Sequence, residues 1–111
     1  MTKTQIEKMM RKCQKQLRMQ NWDIDLQVVG PNGFPDGRVA QCKYHFRNMS
    51  ATISVLDPKY NHDDAPGMQH MECTLYHELL HPIMAPIFDP KGDEDLQEQT
   101  IERIAKALAE I

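Results

Sequence analysis

What the chain lacks narrows its reading first. It has no apolar run approaching the ~20 consecutive residues needed to cross a bilayer. Its opening residues, Met1-Thr2-Lys3-Thr4-Gln5, lead straight into a charged segment without the apolar core of a secretory signal. A cytoplasmic protein with no membrane partner is the expectation. Its three cysteines (Cys13, Cys42, Cys73) are an odd number, far apart, with no Cys-x-x-Cys pair. That argues against a disulfide framework and against a thiolate zinc site; buried reduced thiols are the plainer reading. Internal repeats, low-complexity tracts and dividing linkers are missing too. The 111 residues therefore read as one domain, 1–111. A chain of this size buries roughly 65% of its extended surface, enough for one modest core.

Charge is nearly balanced overall, at −3, but it is unevenly spread. Residues 1–50 carry nine Lys/Arg against four Asp/Glu, and residues 51–111 carry four against twelve. A basic half can mean nucleic-acid contact. Here most of that charge falls on one helical segment without interleaved aromatics, so a solvated helix face outweighs a nucleic-acid partner.

The pattern of apolar residues predicts the order αβββαα. Thr4-Gln5-Ile6-Glu7 has the spacing of a capping box, and Ile6, Met10, Cys13 and Leu17 follow at helical intervals. One apolar stripe predicts a helix that backs a sheet. Residues 22–28 alternate, with Trp22, Ile24, Leu26 and Val28 on one side and Asp23, Asp25 and Gln27 on the other, as in a half-buried strand. Further strands are expected over about 38–46 (Ala40, Cys42, Tyr44 and Phe46 inward) and about 49–56 (Ala51, Ile53 and Val55 inward). Short connections favour antiparallel neighbours. From about Met68 the period becomes helical, with Met68, Met71, Leu75 and Leu79 opposite His77 and His81. Pro82 predicts a kink or stop there. A last helix starts at an Asp93 cap and carries the stripe Leu96, Ile101, Ile104, Leu108 and Ile111.

His77-Glu78-Leu79-Leu80-His81 holds the chemistry. Histidines four apart on a helix share a face and can reach one metal ion, and the adjacent glutamate is placed to take a proton from water activated there. Zinc in catalytic sites takes three protein ligands and keeps one position open. The third is expected from a carboxylate on the last helix: Glu98 at the edge of the buried stripe is preferred, and Glu94 competes. Glu102 is then placed to accept the free ring N–H of a histidine and fix its tautomer.

A helix, three strands, a His-Glu-x-x-His helix and a glutamate helix resemble the gluzincin clan of zinc metallopeptidases, most of all the single-domain minigluzincins. Glu98-Gln99-Thr100-Ile101-Glu102 is similar to the clan's second motif, Glu-x-x-x-Asp. It also resembles the glutamate helix of the phage-repressor-cleaving metallopeptidases. The resemblance implies an α+β, minimal zincin-like fold: a small, mostly antiparallel sheet with a backing helix, an active-site helix and a glutamate helix. It implies zinc on His77, His81 and Glu98, Glu78 as general base, Glu102 as orienting acid and a peptide or protein substrate, with an active and a latent form both open in so small a chain. It further implies that the edge strand before the active-site helix, read as Ala51, Ile53 and Val55, pairs with the substrate. Pro82 after the second histidine and Glu102 in place of Asp or Asn depart from the pattern. Tyr60, His62, His70 and Tyr76 are candidates to stabilise an oxyanion. The rival expectation is a metal-stabilised binding module for a protein or nucleic-acid partner, without catalysis.

Overall fold

The computed structural model describes residues 1–60 and 67–111, the side chains of residues 67–69 excepted. The fold is α+β in the order αβββαα: α1 (Lys3–Gln16), β1 (Asp23–Val29), β2 (Ala40–His45), β3 (Ser50–Leu56), α2 (Gly67–Met84) and α3 (Glu94–Ala109), with short 3-10 turns at Pro31–Gly33 and Pro58–Tyr60. Among the described residues no helix is long and apolar enough to cross a membrane.

Helix α1 does begin with a capping box, but two residues earlier than its sequence suggests. Thr2 Oγ1 accepts from Gln5 N (3.2 Å), and Gln5 Oε1 accepts from Thr2 N (2.8 Å). Glu7 is thereby free to pair with Arg11 one turn on, at 2.9 Å. The buried face comprises Ile6, Met9, Met10 and Cys13, together with the polar Gln14. Gln14 Nε2 donates to the carbonyls of Met19 (2.8 Å) and Trp22 (2.9 Å), fastening the helix to the entry of β1.

The sheet is mixed rather than mostly antiparallel. Its order is β1-β3-β2: β3 runs parallel to β1 and antiparallel to β2. The tight 46–49 connection makes β2 and β3 a hairpin, as expected, but β3 then lies between the other two strands. The ten-residue passage from β1 to β2 is long enough to leave that space. This overturns the edge-strand assignment. Ala51, Ile53 and Val55 belong to the central strand and are buried, and the register positions from Ser50 to Val55 are paired on both sides. They cannot offer backbone to a peptide. The edges are β1 and β2.

Strand faces follow the alternation. Ile24, Leu26, Ala51, Ile53 and Val55 point into the core, flanked by the half-buried Ala40, Cys42 and Tyr44, while Asp23, Asp25, Gln27, Lys43 and His45 are exposed on the far side. Helix α2 is central, packing against α1, the sheet and α3, so it is buried on more than one side: Met71, Cys73, Leu75, Tyr76, Leu79 and Leu80 are all inside. Met68, expected in this stripe, lies outside the described side chains. Pro82 does not end the helix, which runs on to Met84. It costs only the bond to the Glu78 carbonyl, close to a terminus where carbonyls lose helical partners anyway. Its ring is fully buried, and Ala85 N bonds back to His81 O (3.0 Å). On α3, Asp93 caps as expected, accepting from Asp95 N and Leu96 N. Ile101, Ala105 and Ala109 form the buried line, with Ile104 and Leu108 half-buried beside it. Leu96, in the first turn of α3, and Ile111, beyond its last residue, stand exposed, at 61% and 59%.

Candidate metal centre

Two helices supply the centre. On α2 the four-residue spacing puts His77 and His81 on the side turned to α3, their rings 5.1 Å apart. On α3, Glu98 and Glu102 repeat that spacing and face them. One Glu98 carboxylate reaches both imidazoles: Oε2 lies 2.9 Å from His77 Nε2, and Oε1 lies 3.2 Å from His81 Nε2. Glu102 Oε2 takes the other side of the first ring, 3.0 Å from His77 Nδ1. Glu94 makes no such contact. It lines a neighbouring hollow with His81 and Glu98.

Glu78 completes the group. Its carboxylate and the two histidine nitrogens lie within 4.8 Å of one another, the only such cluster among the described residues. Glu98 falls outside that cluster, yet it alone touches both rings. Direct contact is the better guide to a ligand, and nearness without contact suits a base that must leave room for water. Glu78 is 8% exposed. Burial pushes its carboxyl up to about 7; the His77 imidazole opposes this, and the charges of Glu98 and Glu102 reinforce it. Burial also lowers the pKa of His81, with Glu98 working against it. A neutral imidazole is the form that binds metal.

The donor set suits zinc. It consists of two imidazole nitrogens aimed at one point, a carboxylate at that point, and a second carboxylate able to hold the His77 N–H on Nδ1 and so turn the Nε2 lone pair inward.

A hollow of ≈ 620 Å³ runs from this group to β2, lined by Arg38, Cys42, Tyr44, His77, Glu78 and His81. Arg38 and Tyr44 were not singled out by the sequence, because no motif marks a residue that arrives by way of a strand edge. Arg38 is held by Asp36 at 2.7 Å, and its charge acts on Glu78. Among the oxyanion candidates, His70 is exposed and lines an adjoining hollow with Arg38, His77 and Glu78. Tyr76 is buried on the core side beside Cys13. Tyr60 sits against Gly30, away from the centre. His62 lies outside the described residues.

The two sheet edges differ. On β1 the outward carbonyl of Ile24 accepts from Arg11 Nη2 (2.9 Å), and that of Trp22 accepts from Gln14. On β2 the bond from Leu56 N to Val39 O (2.8 Å) sets the phase, so alternate residues Ala40, Cys42 and Tyr44 turn their N–H and C=O groups outward, beside the metal centre. The basic face of α1 is partly used inside the molecule as well, with Arg11 at β1 and Lys12 3.6 Å from Glu72. All three cysteines are free thiols.

No protein-family model, curated protein or solved structure matches this chain.

Proposed function

We propose that the chain is a small zinc-dependent metallopeptidase with a zincin-like fold, similar to the gluzincins. The observation that carries this reading is the Glu98 carboxylate shared by His77 Nε2 and His81 Nε2, with Glu102 behind His77. His77, His81 and Glu98 would hold the ion. When bound, zinc supplies a Lewis acid and lowers the pKa of water.

The rest of the chemistry falls to the chain. Glu78, with a carboxyl near neutrality, is suited to take a proton from water and return it to a leaving amine. Glu102 keeps His77 in one tautomer. The outward backbone groups of Ala40, Cys42 and Tyr44 offer an extended peptide a strand to pair with, so β2 takes the substrate role first expected of β3. That mode reads backbone more than side chains. A base next to the metal ligands also supports an enzyme over a purely structural metal site, which has no use for one.

The test is to purify wild type, Glu78→Gln and Glu98→Ala, measure bound zinc and assay cleavage of a mixed peptide library. Near-stoichiometric zinc is expected in the first two and reduced zinc in the third, with cleavage by wild type alone. Unchanged zinc in Glu98→Ala would remove Glu98 as a ligand. Full zinc in a wild type that cleaves nothing would move the reading to a metal-stabilised binding module.

A further inference from the structure

Cys73 is a buried nucleophilic side chain that the mechanism above leaves unused, and it adjoins the carboxylate of Glu102. It stands four residues before His77, on the same side of α2, and is 5% exposed. Its Sγ lies 3.4 Å from Glu102 Oε1, while the other oxygen of that carboxylate lies 3.0 Å from His77 Nδ1. Glu102 thus spans two successive turns of α2, with one oxygen on each. We propose that Cys73 is a positioning residue for the metal centre: its thiol donates to Glu102 Oε1 and fixes the carboxylate rotamer that holds the His77 ring.

Three observations fit this assignment. A carboxylate only accepts, so the hydrogen must come from sulfur. Burial, the bond to Glu102 and the Glu102 charge push the thiol up to about 11, so it keeps that hydrogen at neutral pH. Glu102 is 41% exposed on its side chain. A carboxylate so open to water keeps one rotamer only where something holds it, and Cys73 and His77 are the two side chains it bonds.

The proposal rests on the metal-centre reading for one of its two measurements only. Cys73→Ser keeps a donor, whereas Cys73→Ala removes it at almost the same size. Zinc affinity, measured by competition with a chromophoric chelator, is expected to fall about fivefold in Cys73→Ala and to stay near wild type in Cys73→Ser. That loss is smaller than the roughly 10–100-fold typical of a residue bonded directly to a ligand. In the metal-free proteins, NMR of the His77 Nδ1 proton is expected to give a slowly exchanging signal in wild type and Cys73→Ser, broadened or lost in Cys73→Ala. Equal zinc affinity in Cys73→Ala and wild type, or equal losses in both variants, would overturn the assignment. A wild type that binds no zinc would sink the metal centre instead. The Nδ1 signal then decides for Cys73, and an unchanged signal in Cys73→Ala overturns it.

Discussion

Glu78→Gln should separate the stability of the protein from its proposed activity. Glu78 is buried beside two other carboxylates, and its carboxyl rises from 4.5 to about 7, by burial first and by the charges of Glu98 and Glu102 against His77 and Arg38. The folded state therefore binds this proton more tightly than the unfolded chain. Its contribution to stability is fully present below the unfolded value and is lost as pH rises through about 7. A gap of about 2.5 units at 1.36 kcal/mol each makes the ionised carboxylate cost about 3 kcal/mol in the metal-free protein. Glutamine has nearly the same shape and cannot ionise. Urea denaturation of metal-free wild type and Glu78→Gln should give similar stabilities near pH 4 and a widening gap above it. The variant should be more stable by about 3 kcal/mol near pH 8. Saturating zinc should narrow the gap, since positive charge beside Glu78 favours its ionised form. Stability curves that stay parallel across this range would refute the argument, as they would mean that Glu78 is solvated or already compensated. The expected outcome is a more stable protein without its base, the usual relation of strained sites to function.

Three other perturbations address other parts of the molecule. Glu102→Ala removes the acceptor of the His77 ring and should weaken zinc binding roughly 10–100-fold in chelator competition while leaving the ligand count unchanged. Cys42→Pro deletes an amide that faces away from β3 and should spare zinc content and the β2–β3 ladder while lowering kcat/KM on peptides; unchanged kinetics would remove β2 from substrate binding. Gln14→Leu strands the Trp22 carbonyl, leaves the Met19 carbonyl with its bond from Trp22 N alone, and should cost about 1–3 kcal/mol in urea denaturation.

Much of this arrangement is legible in the sequence because it is local. The two-residue period sorted Ile24, Leu26, Ile53 and Val55 from their polar neighbours, and Asp93 announced α3. The four-residue spacings of His77 and His81, and of Glu98 and Glu102, survive in the fold as facing pairs. Strand order is not local. Alternation tells which face of β3 is buried but not that β1 runs parallel beside it, so β3 reads as an edge in the sequence and is central in the fold. Pro82 misled for a related reason: its local cost is real, but burial of the ring and the nearby helix end offset it. Arg38 and Tyr44 enter the centre only through that strand order. Cys73 did carry a signal, its four-residue spacing from His77, hidden by the sound rule that buried cysteines are mostly inert.

The unequal edges of the sheet have a consequence for the protein in concentrated solution. A row of unpaired amides and carbonyls cannot tell a substrate from another copy of its own unfolded chain, and natural sheets commonly block such rows with side chains. Here Arg11 and Gln14 guard one side. Among the described residues no side chain bonds to the outward groups of Ala40, Cys42 and Tyr44 on the other, where blocking would also close the hollow beside His77 and His81. The strand proposed to pair with substrate is thus the one through which the chain would first stick to itself. Peptides that pair with this edge should also stabilise the protein against aggregation.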